Sequence, residues 1–478
     1  MPLAGLPTEL LDEIILHTLP EGFESLALTC KKFHALCTPF IDNHNKLRLR
    51  FHDFRYYYTR NKPQGAVPIK TAWDLIIHIA SEPIVARYIR NIDCGRDGMD
   101  FRERPRNHLA YIRDPQRSEA VARLLRNSPH LKEASLSWES FRAEIEERVG
   151  LEEYSQSAAA FLLTLLPNVK TLRLPRSWET NVATHKLLYA IIVKATQSHQ
   201  PWDGRSLAQV TKIHTNFSCG SPGRGEKLND LIPFVSLPRL QSFSNSACKA
   251  RGDALLMIES KDLYRGYKQA LETLNLESCC IEDAALAHFL KHTPCLKTLV
   301  YSHQDEAGTH LPEWDICKFI TAIEREVGNH LEQLSLRIYK LHSSFPLGKI
   351  SMRGFQRLQK LEIPLEVVMW DIRFASSIDP TTEHTQLFIG DIVPASVSQL
   401  ALISKGQAPH QKVLDILFRN FAAKKSLQLS VLQEIHLSYP LTVEDAYKEQ
   451  CAKLASELQQ TEVVLKLERA HFFHWERR

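Results

Sequence analysis

The sequence predicts an α/β repeat protein: a short N-terminal three-helix module followed by a curved solenoid of alternating strands and helices. Three observations predict it. The first forty residues hold three short apolar runs at helical spacing, separated by Pro20 and Gly22 and closed near Pro39. From about residue 85 onward a single pattern, apolar-x-x-apolar-x-apolar, keeps returning. Between its copies lie stretches with helical periodicity. The 478 residues are 44% apolar and 24% charged, a composition that supports a sizeable buried core. The length allows more than one folding unit or one elongated array.

The opening helix starts around Thr8. Glu9, Asp12 and Glu13 crowd its N-terminal half, where the helix dipole favours anions. Leu10, Leu11, Ile14 and Ile15 form its apolar stripe. A second helix is expected over Phe23 to Cys30, and a third from Lys31 into Cys37. Three helices this short make a small core, and units below about 40 residues usually need a partner or a staple. Surplus apolar surface on such a unit marks a candidate docking module.

The run Leu6-Pro7-x-Glu9-Leu10-Leu11-x-x-Ile14-Ile15, followed by Phe23-x-x-Leu26-x-Leu28-x-Cys30-Lys31-Lys32-Phe33, resembles the F-box without a gap. Two positions depart from that motif: Thr18 stands where the family usually has Leu, and Thr29 where it usually has Val. The resemblance implies docking to the Skp-type linker subunit of a cullin–RING ubiquitin ligase. Carried over residue by residue, it names Leu6, Pro7, Leu10, Leu11, Ile14, Ile15, Leu26 and Leu28 as docking positions.

Clear copies of the repeat begin at Val169, Leu271, Leu331, Leu358, Val397 and Leu432. Weaker ones begin at Ile89, Leu131, Val210, Leu240 and Leu296. The last three positions of each copy have the period of two of a short strand. Helices are expected over 118–126, 157–166, 185–194, 284–291, 314–323 and 412–421. This alternation resembles leucine-rich repeats, with a spacing of roughly 25 to 42 residues that exceeds the usual 20–29. Longer helices and insertions account for the excess. A helix over 443–460, a strand over 463–467 and the aromatic run 471–475 are expected to cap the array. The tandem arrangement is similar to adaptor proteins numerous in filamentous fungi. The expected boundaries are 1–45 for the F-box module, 46–84 for a linker and first packing segment, and 85–478 for the solenoid and cap.

The sequence offers little for chemistry. The glycine-rich stretch 220–227 lacks the spacing, and the Ser or Thr after Lys, that cradles a phosphate. Cys279, Cys280, His288, His292 and Cys295 lie close in sequence, but alternate strand residues point to opposite faces, whereas zinc needs four converging ligands. Neither a nucleophile elbow nor a paired-histidine zinc helix is present. No enzyme activity, cofactor or metal is expected. The ten cysteines are scattered, unlike the framework of a small secreted domain. No apolar stretch reaches the roughly 18 residues that span a bilayer, so no membrane partner is expected and a cytoplasmic or nuclear location follows. The net charge of +4 is small for a nucleic-acid binder. Arginines 48, 50, 55 and 60 interleave with aromatics at 51, 54 and 56–58, which reads as a packed linker helix or first strand. The run of arginines from 96 to 117 reads as a solvated loop.

What the resemblance implies is a substrate-recognition adaptor. The F-box would tether the chain, through the Skp-type subunit, to a cullin, and the repeats would hold a target protein. The target-facing candidates are the residues between strand leucines: Arg173, Asn275, Ser335, Glu362 and His436. Two alternatives are an F-box protein acting outside ubiquitination and a nucleic-acid-binding solenoid.

Overall fold

The computed structural model describes residues 3–56, 69–97, 115–151, 153–197, 205–215, 228–250, 270–304, 314–340, 351–365, 388–404, 408–439 and 445–469. They form two compact units. The first is drawn from the leading 217 positions together with Asp230–Leu240, and the second mostly from Gln241 onward.

In the first unit, α1 (Thr8–Thr18), α2 (Phe23–Ala27) and α3 (Lys31–Phe51) share one small core. Ile15, Leu19, Phe23, Ala27 and Cys37 fill it, and Leu26, Leu36, Phe40, Ile41 and Ile84 pack around it. The expected end of the third helix near Pro39 is wrong. Proline removes one backbone bond from a helix interior, yet α3 runs on to Phe51. Its second half is held by packing: His44, Leu47 and Phe51 are all buried. His44 sits against the Phe23 ring at 4.7 Å, and its Nδ1 lies 2.9 Å from the Tyr88 hydroxyl. The expected boundary at residue 45 therefore falls inside a helix.

The strand ladder of this unit begins earlier than residue 85. β1 (Asp53–Arg55), β2 (Asn91–Asp93), β3 (Thr171–Arg173) and β4 (Lys212–Thr215) pair in parallel and in chain order. Phe54, Ile92, Leu172 and Ile213 stand in register on the buried face. Phe51, Phe54 and Tyr56 are buried, so the described part of the first arginine–aromatic run is a helix end and a first strand. The remainder of that run, and most of the second arginine run, lie outside the described residues.

Among the described residues, α4 (Ala72–Ser81) and α5 (Ile84–Tyr88) lie between β1 and β2. Thr71 and Asp74 close a reciprocal capping box at the start of α4. Between β2 and β3 come α6 (Pro115–Arg126), α7 (Pro129–Glu133), α8 (Trp138–Gly150) and α9 (Gln156–Leu163). The copy expected at Leu131 is thus a helix and not a strand. The Ser128 hydroxyl accepts from the Leu131 amide and Pro129 occupies the first turn, which starts a helix there. α10 (Val182–Thr196) and α11 (Ile232–Val235) complete the unit.

The second unit has a longer parallel ladder. Its members are β5 (Ser242–Ser246), β7 (Thr273–Ile281), β8 (Thr298–Gln304), β9 (Gln333–Lys340), β10 (Lys360–Pro364), β11 (Gln399–Ile403), β12 (Glu434–Tyr439) and β13 (Val464–Arg469), paired in chain order. The two-residue β6 (Lys249–Ala250) pairs with the far end of β7. The clear repeat copies all end in these strands or in β3. Their leucines supply the buried rows: Leu274, Leu299, Leu334, Leu361, Leu400 and Ile435 form one, adjacent across the register. Each such side chain contributes about 1.5–3 kcal/mol by leaving water.

Among the described residues the helices between strands are α12 (Asp283–Leu290), α13 (Ile316–Val327), α14 (Ala408–Leu417), α15 (Phe421–Gln428) and α16 (Asp445–Leu458). The single helix expected over 412–421 is broken in two at Asn420, whose φ of 58° is left-handed. Asn tolerates that region better than most residues. The expected aromatic cap at 471–475 and the glycine-rich stretch lie outside the described residues. Among the described residues no helix is long and apolar enough to cross a membrane.

Candidate functional site

The two candidate surfaces are the N-terminal helices and the open faces of the strand ladders. On α1, Leu11 and Ile15 are four residues apart and fully buried. Leu10 and Ile14, also four apart, lie on the adjoining face; Leu10 is 52% exposed and Ile14 half-buried. Pro7 is exposed at the helix start and Leu6 is half-buried. Leu26 packs against the small core, while Leu28, just past α2, is 82% exposed. The docking list therefore divides. Leu11 and Ile15 hold the helices together and are not surface groups; Pro7, Leu10 and Leu28 are. Leu3, Leu16 and Leu49 also point outward, and the sequence reading missed them.

On the open face of the second unit, Asn275, Ser335, Glu362 and His436 do fall in one row. The register runs Ser244, Asn275, Val300, Ser335, Glu362, Ala401, His436, Lys466. Arg173 occupies the equivalent place in the first unit, in the row Arg55, Asp93, Arg173, His214. All five predicted residues are partly exposed.

Most of the charges in these rows are matched from within. Arg173 Nη1 lies 3.0 Å from Asp93 Oδ2. Arg337 grips Glu362 with two contacts, 2.5 and 3.2 Å. Burial would lower the Arg337 pKa, but the Glu362 carboxylate and Tyr339 together outweigh it and hold the guanidinium above its ordinary value. His436 bridges two carboxylates, Nδ1 to Glu468 and Nε2 to Glu434, each at 3.0 Å, and Lys466 adds a third contact to Glu434. The hydrogen bonds from His436 and Lys466 hold the Glu434 carboxyl below its usual range. Burial, with Arg173 and Lys212 nearby, lowers the His214 pKa. The Asn275 amide nitrogen donates to Glu277.

Asp93, Arg337, Lys466 and Glu468 were absent from the predicted set. The repeat carries a signal for two of them, Asp93 and Lys466. Aligning copies on their leucines puts Asp93 beside Arg173 and Lys466 beside His436, since register here follows the leucines.

Of the cysteine–histidine cluster, Cys279 is buried with Sγ 3.2 Å from the Glu277 carbonyl, and the His288 and His292 rings stack edge-on at 5.4 Å. Among the described residues no three His, Cys, Asp or Glu side chains converge as a metal site requires. An open groove of about 590 Å³ lies between α12 and α13, lined in part by Ala287, Ala322 and Thr321. No family model and no curated protein matches this chain.

Proposed function

We propose that the chain is a non-enzymatic substrate-recognition adaptor of a cullin–RING ubiquitin ligase. In this reading α1 to α3 are an F-box that docks on the Skp-type subunit, and the parallel ladders are irregular leucine-rich repeats that hold a target protein. The observation that carries it is the division within the first helices. Their core is closed by Ile15, Phe23 and Cys37, yet Leu10 and Leu28 remain in water. Large apolar side chains left outside a small module favour a partner surface. The open strand face supports the second half. Its polar rows are partly exposed, and its position is fixed by the buried leucines behind it. Holding a target beside an enzyme carried by other subunits would accelerate its modification by raising local concentration.

The test is co-purification of the full chain with a Skp-type subunit, against Leu10→Glu/Leu28→Glu. Neither side chain packs in the core, so the variant should unfold at the same temperature as the parent. Capture by the parent and loss of about tenfold or more in the variant is the expected result. Equal capture by both, or by neither, removes the docking proposal.

A further inference from the structure

β13 closes the ladder of the second unit. It pairs with β12 from Glu434 and Val464 to Tyr439 and Arg469, and among the described residues no strand pairs with its other edge. A bare edge offers a row of unpaired N–H and C=O groups, which proteins usually blunt with charge, proline or a covering segment. Lys466 and Glu468 put charge on one face of this edge strand, yet apolar side chains stand exposed beside them. Val464 is 54% exposed. Leu467 is 45% exposed, although its register mates Leu437 and Leu402 on the preceding strands are fully buried. The open face of the same strand carries Lys466 and Glu468, anchored on Glu434 and His436 of β12.

We propose that this edge pairs antiparallel with β13 of a second copy of the chain, centred on Leu467. In an antiparallel ladder, residues directly opposite share a face of the sheet. With Leu467 opposite Leu467 of the second copy, Lys466 falls opposite Glu468 of that copy, and the twofold axis repeats the pair. Centring on Lys466 would set like charges against each other, and centring on Leu465 would set Lys466 against Val464. Only the Leu467 centre gives two opposite-charge pairs and covers both half-exposed leucines. Such an interface is isologous and closes at two copies. It sets the open faces of both ladders on the same side of one sheet.

Sedimentation of the full chain over a concentration series tests it. The parent forms a reversible dimer. Lys466→Glu, which sets carboxylates opposite each other twice, weakens association about tenfold or more. The swap Lys466→Glu/Glu468→Lys restores it to within about threefold. If the single substitution acted only by disturbing Glu434 and His436 within one copy, the swap would disturb both and would not rescue. A dimer indifferent to Lys466→Glu, or a swap without rescue, overturns the pairing. So does a full chain that stays monomeric, including one that dimerises only when cut after Arg469, which would assign the edge to the residues beyond it.

Discussion

The side-chain amide of Asn168 donates to the carboxylate of Glu21, 147 residues earlier in the chain. The same carboxylate faces Arg87 and Arg90, and Asn168 donates a second bond to the Arg87 carbonyl. Arg87 in turn reaches the His17 carbonyl. The turn after α1 is thus tied to the end of α5, which precedes β2, and to the loop that precedes β3. Glu21→Ala should cost about 1–2 kcal/mol, because the half-exposed ion pairs are weak but the buried Asn168 loses a partner. Thermal unfolding checks the magnitude, and proteolysis of the first 56 residues should quicken. An unchanged cleavage rate would deny the tie a role.

His130 gives a pH dependence. Burial, with Lys194 adding to it, pushes its pKa down to about 4, while Glu133 opposes. The folded state therefore favours neutral imidazole, and the unfolded chain takes up the proton. Its stabilising contribution is complete above the ordinary histidine pKa of about 6.5 and is lost as pH falls from there to about 4, up to about 3 kcal/mol. His130→Phe should flatten the stability–pH curve across that window. An identical slope in parent and variant would assign the acid sensitivity to other groups, such as His44, which burial also lowers.

Adjacent residues of β7 should differ sharply. Leu274 is fully buried, and Leu274→Ala should cost about 3–5 kcal/mol. Asn275→Ala, on the open face, should stay within about 1 kcal/mol. Denaturant unfolding of both variants compares them directly, and similar losses would mean the open face is covered in the folded protein.

Pro39 is exposed inside α3, where it denies the Ala35 carbonyl its usual amide. Pro39→Ala should restore that bond and stabilise the first unit by about 1–3 kcal/mol. A lower melting temperature would show that the ring is needed for packing.

What could be read from the sequence follows from how far each signal reaches. The strands were legible because period-two leucines report burial on one face without knowledge of distant residues. Leu131 mimicked them, but the Ser128–Pro129 helix start is stronger locally. Pro39 misled in the other direction, since packing of His44, Leu47 and Phe51 overrode a local breaker. The phase of α1 was harder still. Leu10 and Leu11 are equally apolar, and only the placement of α2 and α3 decides which one is buried. The pairing of Arg337 with Glu362 depends on the register of two strands, which one copy of the repeat does not reveal.

Within each unit, every strand of the main ladder lies beside the one that precedes it in the chain. Assembly need not wait for the C-terminus, because each newly synthesised segment finds its neighbour already in place. The same order leaves no strand threaded between two others, so a repeat can be gained, lost or lengthened without rerouting the backbone. The helices 115–126 to 156–163 lie between β2 and β3 in the chain and leave the pairing of those two strands intact.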